Sequence, residues 1–282
     1  MENLLIPSPQ GTTRVFVVLG DPVAQVKAPE LMNRVFVANG VDAVMVPVHV
    51  HPCELPTVMP GLKQIANLDG MLITIPHKFD VCAHIDTASE MVSLSGAANA
   101  LRREIDGSWS GENFDGLGFV AGLMQQGHDP AGKIVTLVGS GGAGVAIAAA
   151  LLQAGVQRLN VTDLSKEKAS RLAQRLNARY NGRVDASVTP QLQDADIVIN
   201  STPMGLRETD PLPFDVDRLH NETLVADIIM KPAQTRLLKH AAQRGLRVHQ
   251  GIHMLAPQIE MYREYFRVPF VGEHSVGENP RY

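Results

Sequence analysis

A glycine-rich turn between a short apolar run and a helix-forming run constrains this chain most. Ile134 to Val138 has the pattern of a buried strand, and Val145 to Gln153 favours a helix. Glycines between them allow backbone amides to approach an anion, and the helix start adds partial positive charge. A tight turn without a ligand is the alternative, but we predict a dinucleotide site. Its predicted contact residues are Gly139, Gly141, Gly142 and Ala143.

An acidic residue follows at the spacing that such turns require. Asp163 ends the next apolar run, 24 residues after Gly139. A carboxylate at this position accepts the ribose hydroxyls of adenosine and repels a 2′-phosphate. The next residues, Leu164 and Ser165, offer no guanidinium for that phosphate. The sequence therefore predicts NAD in preference to NADP, and a helix N-cap role for Asp163 is compatible with this.

Apolar strands alternate with helices along both halves of the chain. In the second half the predicted strands are Ile134–Val138, Leu159–Thr162, Ile197–Asn200, Leu224–Ile228 and Arg247–His249, and the helices after the turn are Lys166–Tyr180 and Pro232–Gln243. This alternation predicts a Rossmann-type, doubly wound parallel sheet. In the first half the predicted elements are strands Val15–Leu19, Val44–Val50 and Leu72–Ile75, and helix Pro29–Asn39. Pro47 indicates that Val44–Val50 is an edge strand or an irregular strand.

Length and composition set the domain organisation and exclude several classes of protein. With 282 residues, the chain suits two α/β domains: residues 1–118, with 253–282 packed back on them, and residues 119–252. The net charge of -4 lacks the basic stripe of a nucleic-acid binder. There is no membrane-length apolar run and no leader pattern, so we expect a cytoplasmic monomer or homodimer with two reduced thiols, Cys53 and Cys82.

Two histidines raise the question of a metal ion. His49 and His51 lie two residues apart on a predicted strand and so face the same side. Because no third ligand is evident near them in the sequence, we predict no metal site.

Six further blocks stand in order around the glycine turn. They are Gly20–Pro29, Gly70–Lys78, Ser95–Asn99, Gly111–Gly116, Asn200–Gly205 and Gly251–Gln258. Together they resemble the motifs of the shikimate and quinate dehydrogenase family over nearly the whole chain. The resemblance implies two α/β domains with a cleft between them, and hydride transfer between a nicotinamide and a ring alcohol or ketone.

The resemblance also implies residue roles. Lys78 and Asp115 are the implied catalytic pair. The implied substrate contacts are Thr74, Asn99 and Gln258, with Met230 at the position of a rim tyrosine. Besides the glycine turn, Asp163 and Leu164, the resemblance implies further cofactor contacts. They are Glu90, Thr202, Ile228, Gly251 and Met254. The chemistry is consistent, because alcohol oxidation needs a proton acceptor, and a partly desolvated lysine near a carboxylate can serve as one.

Residues that depart from the family motifs are concentrated where one end of the substrate would bind. Val26 and Ala28 replace two serines that hold the substrate carboxylate, and Gln25 replaces a histidine. Further departures are Leu72, Phe114 and His253. We therefore expect a cyclic hydroxy acid or diol whose acid group is altered or absent. The alternatives are compensation, for instance by Lys27, in a true shikimate dehydrogenase, or a cofactor-binding regulator without turnover.

Overall fold

The computed structural model describes residues 8–270, which form two compact units. The first unit contains residues 8–88, 98–112 and 259–270, and the second contains 89–97 and 113–258. These bounds differ at the margins from the predicted domains, because residues 89–97, 113–118 and 253–258 belong to the second unit.

The strands and helices follow the alternation expected of an α/β protein. The strands are β1 (Arg14–Gly20), β2 (Ala43–His49), β3 (Leu68–Ile73), β4 (Thr87–Ala88), β5 (Ala100–Arg103), β6 (Trp109–Glu112), β7 (Ile134–Val138), β8 (Arg158–Thr162), β9 (Val184–Ser187), β10 (Ile197–Asn200), β11 (Leu224–Asp227) and β12 (Arg247–Gln250). The helices are α1 (Ala28–Ala38), α2 (Leu55–Lys63), α3 (Glu90–Ser95), α4 (Asp115–Gln125), α5 (Gly142–Gln153), α6 (Lys166–Tyr180), α7 (Arg236–Gln243) and α8 (Leu255–Tyr265).

The second unit is built on a six-stranded sheet in which every pairing is parallel. Its strand order, read from one edge, is β9-β8-β7-β10-β11-β12, which is the 3-2-1-4-5-6 order of Rossmann folds. Helix α5 lies in the core, with every residue from Gly144 to Leu152 buried. The predicted doubly wound sheet is confirmed.

The first unit has a mixed sheet of order β2-β1-β3-β5-β6-β4. Strand β2 lies at its edge, as Pro47 indicated, and β1 to β3 run parallel. Strands β5 and β6 form an antiparallel hairpin that the sequence analysis did not predict. The parallel strands end at Gly20, His49 and Ile73, so the residues after them share one edge of the sheet.

Two predicted elements differ from the structure by four residues at one end, which is more than the other predicted elements do. The strand predicted at Leu72–Ile75 is Leu68–Ile73, because the apolar side chains before Leu72 are also buried. The helix predicted from Pro232 begins at Arg236, where the Thr235 side chain caps it by accepting a hydrogen bond from the Leu238 amide. Within residues 8–270, no helix combines the length and apolar character needed to cross a bilayer, and the cytoplasmic location stays a prediction.

Candidate active site

The glycine turn lies where the second unit's sheet changes direction. Strands β7 and β10 are neighbours, and their chain connections lead to opposite edges of the sheet. Gly139 has φ +105°, and a Cβ there would lie 2.9 Å from Thr202 Cγ2 and 3.0 Å from Ser201 Oγ. The Ser201 hydroxyl also lies within hydrogen-bond distance of the carbonyls of Val138 and Gly139. Such switch points are the usual ligand sites of open α/β sheets.

The start of α5 offers unpaired amides beside open space. Gly141 is its N-cap and provides no side-chain hydrogen bond. A Cβ built at Gly141 meets nothing within 4 Å, whereas one at Gly139 would collide with backbone and side chains. The first amides of a helix have no intrahelical acceptor and attract anions. The turn therefore fits a pyrophosphate, with Gly142 and Ala143 in the first turn of the helix.

Asp163 accepts three hydrogen bonds, two of them from Ser140 in the glycine turn. One carboxylate oxygen accepts from the Ser140 amide at 2.8 Å and its hydroxyl at 2.6 Å, and the other accepts from the Ser165 amide at 2.9 Å. Burial alone would raise the pKa of Asp163, but these hydrogen bonds and the nearby Lys168 hold the pKa below its ordinary value. The Leu164 side chain beside it is 86% exposed.

Four other predicted cofactor residues collect at the ends of β10 to β12. The Thr202 hydroxyl donates to Asn200 Oδ1 at 2.7 Å, and the Ile228 amide donates to the Asn200 carbonyl at 3.1 Å. Gly251 packs so closely on the Ile228 carbonyl that a Cβ would not fit, and Met254 is buried.

Glu90 has a different environment from these four. It is exposed at the start of α3 and pairs with Arg179 on α6, at 3.7 Å. Its predicted cofactor role stays a prediction.

Asp115 and Gln258 meet in the second unit although 143 residues separate them. Both are buried, and Gln258 Nε2 donates to Asp115 Oδ1 at 2.9 Å. The Asn113 side-chain oxygen accepts from the Asp115 amide at 3.1 Å, which fixes the start of α4. Met230, predicted at the substrate rim, is half-buried against the core of the same unit.

In the first unit, Thr74, Lys78 and Asn99 gather at the end of β3. The Thr74 amide donates to the Leu19 carbonyl at 2.8 Å, and the Ala98 amide donates to the Lys78 carbonyl at the same distance. Asn99 is buried, and its side-chain amide donates to the Tyr262 hydroxyl at 3.1 Å. The Tyr262 contact was missed, because a single tyrosine in a terminal helix carries no sequence signal. The pairing of Lys78 with Asp115 stays a prediction.

The segment around Val26 offers few polar groups to a substrate anion. Val26 and Ala28 are half-buried and carry no donor on their side chains, and α1 begins at Ala28 without a side-chain cap. The side chain of Gln25 donates to the Pro22 carbonyl at 2.8 Å. Lys27, the residue that could compensate, lies 3.6 Å from Glu30 in an ion pair. These contacts are consistent with the sequence prediction that this segment does not bind the usual substrate carboxylate.

One cluster contains a residue that the sequence analysis overlooked. Asp21 lies between His49 and His51 and contacts both rings, at 2.6 Å and 3.1 Å. The missing third ligand was the reason for predicting no metal. Asp21 directly follows β1, and the parallel pairing of β1 with β2 brings it to the histidines.

Fold and site together define a Rossmann-type dinucleotide-binding oxidoreductase with a separate unit bearing the lysine. Residues 18–101 match the shikimate dehydrogenase substrate binding domain, and residues 123–206 match the shikimate/quinate 5-dehydrogenase domain. The chain is 36% identical to a shikimate dehydrogenase (NADP(+)) from Rubrobacter xylanophilus, over 95% of this chain and 96% of the relative. It belongs to the shikimate/quinate dehydrogenase family, whose members are CH–OH dehydrogenases.

Two solved structures show how wide this likeness is. Shikimate 5-dehydrogenase from Listeria monocytogenes, in complex with shikimate and NAD, is 26% identical, with a TM-score of 0.84 over 93% of this chain and 94% of that one. The ligand-free 5-ketofructose reductase of Gluconobacter sp. strain CHM43 is 29% identical, with a TM-score of 0.81 over 92% and 94%. Proteins with the same fold are thus named for different substrates.

The predicted preference for NAD over NADP is wrong. The Rubrobacter relative and others at 31–34% identity are NADP(+) enzymes by name, and solved neighbours include complexes with NADP. The prediction assumed that Asp163 presents a free carboxylate to the ribose. In the structure its two oxygens accept hydrogen bonds from Ser140 and Ser165. The carboxylate is therefore already engaged by the protein and is not the free acceptor for the ribose hydroxyls that the prediction assumed.

Proposed function

We propose that this protein transfers hydride between a nicotinamide dinucleotide and a polyhydroxylated alcohol or ketone that lacks the shikimate carboxylate. The observation that carries this proposal is a contrast within one site. The residues implied at the reacting carbon, Lys78, Asn99 and Asp115 among them, are retained. The two serines implied at the carboxylate are replaced by Val26 and Ala28.

The proposed chemistry assigns one role to each conserved group. A bound nicotinamide supplies the hydride acceptor or donor. Lys78 takes the alcohol proton as the hydride leaves and returns it in the reverse direction. Asp115, held by Gln258 at 2.9 Å, supplies the negative charge that keeps the lysine and the substrate hydroxyl aligned.

The glycine turn and the residues near it hold the dinucleotide in this proposal. The amides at the start of α5 bind its pyrophosphate, as the open space at Gly141 allows. Thr202, Gly251 and Met254 line the adjacent strand ends. NADP(H) is the first cofactor to assay, because it is the one that the names of the curated relatives carry.

Two observations favour a substrate without the carboxylate. Val26 places apolar surface where an anion would need hydrogen bonds, and Lys27 is paired with Glu30. Desolvating an anion without replacing its hydrogen bonds is unfavourable. In addition, a relative of the same fold is named for a keto sugar, 5-ketofructose, rather than for a ring acid.

A second function has its own support. The 36% identity to a shikimate dehydrogenase over 95% of the chain favours plain reduction of 3-dehydroshikimate. The two functions differ in whether the enzyme requires a carboxylate on the substrate.

Steady-state kinetics distinguish these functions. The unmodified protein is assayed with NADP(H) and with NAD(H) against shikimate, quinate, carboxylate-free cyclic diols and keto sugars. We expect poor turnover of shikimate and better turnover of a carboxylate-free compound. Efficient turnover of shikimate with a Michaelis constant in the micromolar range would establish the second function instead. Turnover of nothing in the panel, with tight dinucleotide binding, would favour a cofactor-binding regulator.

A further inference from the structure

We propose that Asp21, His49 and His51 form a binding site for one divalent transition-metal cation of the zinc class. The site lies in the first unit, at the edge where its parallel strands end. Among the residues that the structure describes, this is the group of His, Cys, Asp and Glu side chains whose ligand atoms have metal-binding spacing.

Backbone pairing fixes the positions of the three residues. Gly20 is in register with His49 across β1 and β2, so Asp21 follows directly beside that histidine. The Val50 amide donates to the Gly20 carbonyl at 3.1 Å, and the Asp21 amide donates to the Ile75 carbonyl at 2.9 Å. His51 lies two residues after His49, and their ring centroids are 4.9 Å apart. Strand pairing therefore places Asp21 beside His49, and His51 lies just beyond the end of β2.

The ligand atoms are close to the spacing that a single ion requires. Asp21 Oδ1 lies 2.6 Å from His49 Nε2, and Asp21 Oδ2 lies 3.1 Å from His51 Nδ1. One ligand atom from each residue lies within 4.8 Å of the other two. Bonds of about 2.0–2.2 Å in a tetrahedral site separate the ligand atoms by roughly 3.4 Å. The observed separations, from 2.6 Å to at most 4.8 Å, lie on both sides of that spacing.

The kinds of ligand select the class of cation. Two imidazole nitrogens and one carboxylate suit zinc, cobalt, nickel or copper, whereas calcium and magnesium prefer all-oxygen sites. Asp21 is partly exposed and the two histidines are more so, at 48% and 63% of their side chains, which leaves room for water as a further ligand.

The competing interpretation is a hydrogen-bonded His–Asp–His cluster with no affinity for cations. Both interpretations make the cluster sensitive to acid, since a metal ligand must be deprotonated. They differ in whether a cation binds stoichiometrically and loses its site when one residue is changed. The test therefore measures binding directly and needs no turnover, so it is independent of the proposed function.

The experiment titrates the untagged full chain with Zn²⁺ by calorimetry and with Co²⁺ by visible absorption. We expect one ion per chain and the d–d bands of cobalt bound to nitrogen and oxygen ligands. The variants His49→Ala and His51→Ala should each lower the apparent affinity by at least tenfold, because even residues behind a ligand typically contribute about 10–100-fold. His84→Ala and His220→Ala are matched controls, and their affinity should equal that of the parent.

Asp21→Asn separates loss of a ligand from loss of fold. The amide keeps the shape of the side chain and removes the anionic ligand, so binding should weaken while the melting temperature in the absence of metal stays close to that of the parent. Two results would overturn the proposal. One is an affinity that is unchanged in His49→Ala and His51→Ala. The other is binding that appears only at millimolar metal or without a fixed stoichiometry.

Discussion

The proposed ligand sites of the two units are built from different chemical groups. The second unit uses backbone, since the glycine turn needs little more than small residues and the start of a helix. The first unit uses side chains, and a substitution such as Val26 or Ala28 removes a donor outright. A backbone-built site survives sequence change as long as the fold does. A side-chain-built site can change its ligand through two substitutions.

This difference explains why the cofactor class is readable and the substrate is not. Any sequence that places glycines after β7 and before α5 presents the same amides to a phosphate. In contrast, Val26 and Ala28 carry no donor or acceptor that would indicate which substrate group lies near them. The predictions below test each half of this comparison.

The largest effect is expected at Lys78 in the first unit. Replacing Lys78 with Ala removes the proposed proton carrier and leaves the glycine turn of the second unit unchanged. Loss of a general acid–base group lowers the rate by roughly 10²–10⁴. The measurement is kcat together with dinucleotide affinity, which should stay within about twofold of the parent. Parent-like turnover in Lys78→Ala would remove the lysine from the mechanism. Lys63→Ala, in the same unit at the end of α2, is a control that should retain kcat.

The second unit is expected to be weaker in acid. His249 is buried against Phe119, with ring centroids 5.7 Å apart, and both of its ring nitrogens lack a hydrogen-bond partner within residues 8–270. Burial, and then the charges of His253 and His128, lower its pKa from 6.5 to about 4.

Because the folded pKa is lowered, the unfolded chain binds the proton first as pH falls. Stability should therefore decrease between about pH 6.5 and 4 and level off below that, by about 3 kcal/mol at most. Urea unfolding from pH 7.5 to 4.5 measures this decrease, which His249→Leu should flatten. His220→Leu, a change at an exposed histidine, should retain the parent slope. An equally steep slope in His249→Leu would assign the acid sensitivity to other groups.

The fold could be predicted from the sequence wherever the hydrophobic pattern of a segment was regular. Strand β7 and helix α6 were predicted with the bounds that the structure shows, because apolar runs and a polar-faced helix have clear periods. The hairpin of β5 and β6 was missed because it alternates poorly. Within the hairpin, the Arg103 guanidinium lies over the ring of Trp109, its partner across the two strands, at 5.1 Å.

The same contrast applies to the site. Motifs implied roles for Asp115 and Gln258 in one reaction, and the structure brings the two side chains into contact although 143 residues separate them. Asp21 was overlooked as a neighbour of His49 because only strand pairing brings the two together. The preference for NAD was wrong because the hydrogen bonds from Ser140 to Asp163 cannot be read from spacing.

The third prediction restores side-chain chemistry to the first unit. Val26→Ser combined with Ala28→Ser returns two hydroxyl donors to the segment before α1. Hydrogen bonds to a charged group contribute about 1.5–3 kcal/mol each. The kcat/KM for shikimate should therefore rise at least about tenfold, with kcat/KM for a carboxylate-free substrate unchanged or lower. Val26→Thr with Ala28→Gly is a control of similar total volume with one donor, and its gain should be smaller. If the double serine variant gains nothing, the carboxylate is held elsewhere or the site has been rebuilt.

The smallest effect is expected in the glycine turn, where substitutions of Gly139 and Gly141 should impair the protein for different reasons. Gly141 has φ -75°, which alanine adopts readily, and a Cβ there meets no protein atom within 4 Å. Gly141→Ala should therefore keep the melting temperature and weaken dinucleotide binding by about tenfold, because the methyl group occupies space that the pyrophosphate needs.

Gly139→Ala should do the reverse and act on the fold first. Gly139 has φ +105°, a backbone conformation that strains alanine. A Cβ there would also lie 2.9 Å from Thr202 Cγ2 and 3.0 Å from Ser201 Oγ, which is too close for a methyl group. Overpacking of this kind typically destabilises a protein by about 1–3 kcal/mol. Thermal melting and dinucleotide titration of both variants provide the test. If Gly141→Ala bound the dinucleotide as tightly as the parent, the open space at the start of α5 would not be the phosphate site. The proposal that backbone amides at this turn bind the dinucleotide would then be wrong.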